Sequence, residues 1–158
     1  MYEFYVGTTP KDPPGNIVKV CLDSDGQLVD KSYYEAVSPA YLCRKGSCIY
    51  AVIENADFGG VQVFDVNKNG SLTAKARLDT EDVYSTYISA EKRGNRIFVA
   101  NYGTPSCAVY RYEAEKLVQE SVLREKKTEK SHIHCAALTP EEAYVCLVDV
   151  GTDEILVY

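Results

Sequence analysis

The chain has 158 residues and a mass of 17.6 kDa, with 46% hydrophobic and 25% charged residues, the balance of a folded globular protein rather than a disordered one. Seventeen basic against 23 acidic residues give a net charge of −6, which argues against nucleic acid as a partner, because such binding rests on neutralising phosphates. No apolar run approaches the ~20 residues of a membrane-spanning helix, so no membrane partner is expected.

Met1-Tyr2-Glu3-Phe4-Tyr5-Val6-Gly7 lacks the basic start and long apolar stretch of a secretory signal, and the expected location is cytoplasmic. Thirteen tyrosines with one methionine and no tryptophan favour strand over helix, and no segment carries a helical period. Phe4-Tyr5-Val6 reads as a first strand, Ile17-Val18-Lys19-Val20 as a second, and a third opens at Leu28 after the turn Asp25-Gly26-Gln27. The succession then returns. Ile49-Tyr50-Ala51-Val52-Ile53 leads to Val61-Gln62-Val63-Phe64 and, past Asn69-Gly70-Ser71, to Leu72. Arg96-Ile97-Phe98-Val99-Ala100-Asn101 leads to Ala108-Val109-Tyr110-Arg111-Tyr112 and Leu117, and Tyr144-Val145-Cys146-Leu147-Val148-Asp149 leads to Ile155-Leu156-Val157-Tyr158. The register residues Tyr5, Tyr50, Phe98 and Cys146 are spaced by 45, 48 and 48; Phe64, Tyr110 and Tyr158 by 46 and 48; Leu28, Leu72 and Leu117 by 44 and 45.

A period of ~40–50 residues holding several short strands is the signature of a propeller blade, a four-stranded antiparallel sheet buried on both faces by its neighbours. With strands labelled a to d from the axis outward, residues 40–45, 48–55, 60–66 and 72–78 form one blade, and 87–90, 96–102, 107–112 and 117–123 the next. The expected fold is all-β, a single partial propeller domain over 1–158: strands b to d of a first blade (1–37), two whole blades (38–82 and 83–130) and an incomplete one (131–158). That is about three and a half blades. An open arc exposes the apolar faces of its terminal sheets. The chain is therefore expected to be part of a longer propeller, or to need another chain across those faces. An open β-solenoid is the alternative.

The six cysteines form no C-x-x-C pair; Cys21, Cys107, Cys135 and Cys146 lie inside apolar runs, as reduced structural thiols do. His132 and His134, the chain's two histidines, fall in one tripeptide at the entrance to a strand a. Residues two apart on a strand point to one side, so both imidazoles are expected at one mouth of the central channel. Thr86 and Ser38 sit where His134 does in the two preceding blades, twelve residues ahead of the register residue, and could hydrogen-bond a ligand in that mouth. Asn101, Asp149 and Glu54, near the ends of b strands, read either as mouth ligands or as blade-edge hydrogen-bonding groups. A zinc site would need further ligands beside the H-x-H, and Cys135 points to the opposite face, so no metal and no cofactor are expected. Residues 124–130 read as a solvated charged loop.

Several of these stretches resemble a known family. Arg93-Gly94-Asn95-Arg96-Ile97-Phe98-Val99-Ala100-Asn101-Tyr102-Gly103 is similar to the "G-R-x-L-F-V-A-N-Y" blade of the seven-bladed lactonase propellers of the 6-phosphogluconolactonase type. Tyr5-Val6-Gly7-Thr8 resembles their "Y-V-G-T" opening, and Tyr50-Ala51-Val52 with Gly59-Gly60-Val61 their "Y-A-V-N-E … G-G-V" blade, with Ile53 where Asn is usual. Ser131-His132-Ile133-His134-Cys135, with Leu138-Thr139-Pro140 and Val148-Asp149-Val150-Gly151-Thr152-Asp153, resembles "P-H-x-H-S … S-P-D-G … V-x-D-L-G-x-D". The resemblance covers the whole chain but only the first half of a family member. It implies a small-molecule sugar lactone as substrate, phosphorylated or not, and a hydrolysis in which His134 is the catalytic acid or base. His132 would position substrate or tune its neighbour; Thr86, Ser38 and Asn101 are the candidate binding groups by their place in the repeat. An acidic residue and arginines would come from later blades, so this chain alone is expected to be inactive. A catalytically silent binding scaffold and a carboxymuconate-type cycloisomerase are the competing readings.

Overall fold

A computed structural model describes residues 1–9, 15–125 and 128–158. Every regular element in them is a strand. In chain order these are β1 (Tyr2–Gly7), β2 (Gly15–Leu22), β3 (Leu28–Ala36), β4 (Leu42–Lys45), β5 (Cys48–Val52), β6 (Gly59–Val66), β7 (Leu72–Thr80), β8 (Ser85–Ala90), β9 (Arg96–Asn101), β10 (Ser106–Glu113), β11 (Lys116–Arg124), β12 (Ile133–Leu138), β13 (Val145–Asp149) and β14 (Glu154–Val157). They form four antiparallel sheets, each in sequence order: β1-β2-β3, β4-β5-β6-β7, β8-β9-β10-β11 and β12-β13-β14. This is a partial β-propeller. Lys126 and Lys127 of the expected charged loop lie outside the described residues.

Element ends differ from the sequence reading by a few residues. β5 stops at Val52 rather than Asn55, and β8 starts at Ser85, which pairs with Asn101 across a register irregularity before Tyr87. β6–β7 and β10–β11 each shift register at the same place in the blade, between Val63 and Phe64 and between Val109 and Tyr110. The repeat thus reaches down to its bulges, which tighten the local twist.

Alternation explains the packing. On β5, Ile49 and Ala51 face the first sheet and join Ile17, Ala36, Phe64 and Leu72, while Tyr50 and Val52 face the third sheet and join Ile88, Ile97, Val99, Ala108 and Tyr110. Ala100 and Cys107, on the far side of the third sheet, pack with Ile133, Ala136 and Leu147 of the fourth. The valines, leucines, isoleucines and Phe64 among them each contribute roughly 1.5–3 kcal/mol when fully buried. The strands nearest the axis also touch, and Ser89 Oγ of β8 donates to the Ala136 carbonyl of β12 at 2.7 Å.

Candidate active site

The entrance to β12 is held by the end of β13. The carboxylate of Asp149, fully buried, accepts the His132 amide at 2.8 Å and the Gly151 amide at 2.9 Å on one oxygen. The Val150 amide donates in return to the His132 carbonyl at 3.0 Å. Gly151 is required here, since a Cβ would come within 1.4 Å of the Lys130 carbonyl oxygen. Burial by itself would raise the Asp149 carboxyl, but the His132 and Gly151 amides outweigh it and hold it below the usual carboxylate range. Of the two roles open to Asp149, the structure gives it the blade-edge one.

The two histidines are not alternate residues of a regular strand. β12 begins at Ile133, after His132, and its pairing with β13 slips between Ile133 and Cys135, which leaves His134 out of register. Their common contact is Tyr102, just past β9. The His132 ring stacks on it, with centroids 4.1 Å apart and planes at 4°, and Nδ1 lies 3.0 Å from the Tyr102 carbonyl oxygen. The His134 ring meets Tyr102 edge-on at 6.1 Å and 89°. His134 lines an open hollow of about 330 Å³ with Glu54, Tyr84, Thr86 and Tyr102. His132 lines a different one, of about 340 Å³, with Gly103, Thr104, Pro105, Arg124, Glu129 and Ser131. The expectation that both imidazoles open on one mouth is corrected accordingly.

Thr86 stands beside His134, and its hydroxyl donates to the His134 carbonyl at 3.2 Å. Ser38 is buried, with φ at 38°, and its carbonyl accepts the Ala40 and Glu54 amides at 2.8 and 3.1 Å. It does not border the hollow of His134 but holds the backbone of Glu54, which does. Asn101 is a correction. It has no exposed surface, and its amide is committed at both ends: Ser85 Oγ donates to Oδ1 at 2.7 Å, and Nδ2 donates to Ser106 Oγ at 2.9 Å. Gly60 N–H feeds this chain of bonds through Ser85, and Ser106 passes it to Asp82, which also receives Arg124 at 2.7 Å. Asn101 is a buried link between the second and third sheets and is out of reach of a ligand.

Tyr84 and Tyr102 border the hollow without having been singled out from sequence. The repeat carries the signal for both. Glu54 and Tyr102 each lie four residues past their register residue, Thr86 and His134 twelve before theirs, and Tyr84 stands where His132 does. Three blade positions therefore build the hollow. Among the described residues, no group of three or more His, Cys, Asp or Glu is placed to hold a metal ion.

An all-β arc of antiparallel sheets, each packed on the next, is the architecture of a partial β-propeller. Residues 3–158 match the family described as Lactonase, 7-bladed beta-propeller, and the chain belongs to that family. It is 29% identical over 170 residues to the 6-phosphogluconolactonase of Bacillus subtilis, covering 99% of this chain and 49% of that protein. An uncharacterized protein of Staphylococcus epidermidis is 26% identical, over 98% of this chain and 49% of its own length. Among solved structures, the periplasmic gluconolactonase of Pseudomonas aeruginosa superposes with a TM-score of 0.85 at 23% identity, covering 99% of this chain and 49% of that one. A putative 6-phosphogluconolactonase from Bacteroides fragilis gives 0.80 at 24%, over 97% and 46%. These structural likenesses bear on the fold. The chain spans about half the length of the curated relatives it matches. No helix in the described residues is long and apolar enough to cross a membrane.

Proposed function

We propose that the complete protein is a cytoplasmic sugar-lactone hydrolase of the 6-phosphogluconolactonase type, with His134 as its acid–base group. The supporting observation is the hollow in which His134 meets Glu54, Tyr84, Thr86 and Tyr102. Hydrolysis of a cyclic ester needs a base to take a proton from water as its oxygen attacks the carbonyl. The tetrahedral oxyanion then collapses, the ring C–O bond breaks, and the departing alkoxide takes a proton from the imidazolium. An imidazole, which can both accept and return a proton, suits both steps. The Tyr84 phenol and the Glu54 carboxylate are the groups we assign to the hydroxyls of the sugar acid.

The chain supplies about half the length of its relatives, so further groups for the oxyanion and for any phosphate belong, in this reading, to blades outside it or to another chain. The same elements would cover its exposed end faces, and the chain by itself is expected to be inactive. The test is an assay of the full-length protein on δ-lactones of free and phosphorylated sugar acids. His134→Ala is expected to lower kcat by ~10²–10⁴-fold, the usual contribution of a positioned acid–base group. Turnover unaltered by that substitution would remove His134 from the role, and absent turnover in the parent protein would leave a binding scaffold. Product analysis separates hydrolysis from cycloisomerisation.

A further inference from the structure

We infer that His132 is a positioning residue, which acts on the His134 site through Tyr102 and takes no part in proton transfer; the inference rests on the lactonase reading above. His132 is fixed at four points. Its amide donates to Asp149 at 2.8 Å and its carbonyl accepts from Val150 at 3.0 Å. Its Nδ1 lies 3.0 Å from the Tyr102 carbonyl, and its ring lies flat on the Tyr102 ring at 4.1 Å. A carbonyl oxygen only accepts, so the hydrogen is on Nδ1, and the neutral ring keeps Nε2 as its sole acceptor. A side chain held this way has no freedom to follow a reacting atom.

The clamp reaches the hollow through Tyr102. That residue's amide donates to the Tyr84 carbonyl at 2.9 Å, so one short path ties His132 to two walls of the hollow. The Tyr102 ring meets His134 at 89°, so where the tyrosine lies fixes the space left to the second imidazole. The two histidines divide the work. One is held by Asp149 and holds Tyr102; the other is exposed and faces the hollow.

The chemistry of the two amide side chains supplies the test. Asn can place an N–H close to where Nδ1 sits, whereas Gln places its amide near Nε2. In the full-length protein, His132→Asn is expected to stay within ~3-fold of the parent in kcat, while His132→Gln and His132→Ala lose ~10-fold or more, as displaced site groups do. The pH–rate profile should keep its shape in all three. Equal losses in Asn and Gln variants, or a profile that loses a limb, would overturn the assignment. In a Tyr102→Ala background, His132→Gln should cost less than ~2-fold more, since the two substitutions break one linkage; fully multiplied losses would also overturn it. A third readout needs no turnover. Long-range ¹H–¹⁵N spectra above the imidazole range, assigned by loss of signal in His132→Asn and His134→Ala, should find neutral His132 as the Nδ1–H tautomer. An Nε2–H tautomer there breaks the clamp while leaving lactone hydrolysis standing. Absent turnover in the parent instead overturns the hydrolytic reading, and with it any catalytic purpose for the clamp.

Discussion

The two middle sheets and the two end sheets are built from the same blade sequence and end in different environments. In β5 and β9, Ile49, Val52, Ile97 and Val99 are all within 1% of complete burial, because each middle sheet has a neighbour on both sides. The first and last sheets have a neighbour on one side only. In β1, Tyr2, Phe4 and Val6 are 57%, 49% and 48% exposed, and in β14, Ile155 and Val157 are 67% and 59% exposed. The cysteines do not follow this division: Cys107 of β10 is buried, and burial pushes its thiol up to about 12, but Cys21 of the first sheet is buried too, and Cys43 and Cys48 of the second are half-buried like Cys135 and Cys146 of the last. An apolar blade sequence therefore specifies a two-sided burial that only the middle of this arc fulfils. The candidate site straddles the boundary, with His134 on the last sheet and Tyr102 and Thr86 on the third.

The sharpest way to break this contrast is to truncate one isoleucine in each setting. Ile97→Ala should destabilise the chain by about 2–5 kcal/mol, through lost transfer energy and the cavity left between the second and third sheets. Ile155→Ala should fall within about 0.5 kcal/mol of the parent, as surface substitutions do. Urea unfolding of this chain checks both. If Ile155→Ala costs as much as Ile97→Ala, the last sheet is covered in solution. Asn101→Ala comes next, at about 1–3 kcal/mol, because in the interior it takes the acceptor from the Ser85 hydroxyl and a donor from the Ser106 hydroxyl. In the full-length protein its effect should appear in stability and leave the KM for lactone within ~2-fold; a large KM change would return Asn101 to the ligand site.

Asn101 also marks how far sequence reasoning reached. The sheets were legible because both-face burial writes apolar runs of fixed spacing, and Tyr5, Tyr50, Phe98 and Cys146 carry that spacing through every blade. Side-chain direction at strand ends was not. The alternation rule applies to paired residues, and the slip between Ile133 and Cys135, held by Asp149 from another strand, turns His132 and His134 into different hollows. Asn101 looked accessible from its place at a strand end, yet Ser106 and Asp82, brought in by the fold, enclose it. Glu54 and Tyr102 share one repeat position in successive blades. That regularity was in the sequence, but it pointed to the hollow only once Thr86 and His134 were seen on the same wall.

The smallest expected effect concerns the carboxylate that joins the last sheet to the site. Asp149 has its folded-state pKa held below the ordinary value by the His132 and Gly151 amides, despite burial that opposes this. A depressed carboxyl adds stability in full above its unfolded pKa of about 3.9, and that addition is lost as pH falls through the folded value. Asp149→Asn cannot titrate. The parent should therefore be the more stable above about pH 4, and the gap should close as acid protonates the carboxylate. Unfolding free energies of the two proteins, measured from neutral pH downward, provide the check. A gap that stays constant across that range would mean the amide bonds to Asp149 are equally strong in its neutral form, and that its charge does nothing to hold the end sheet to His132.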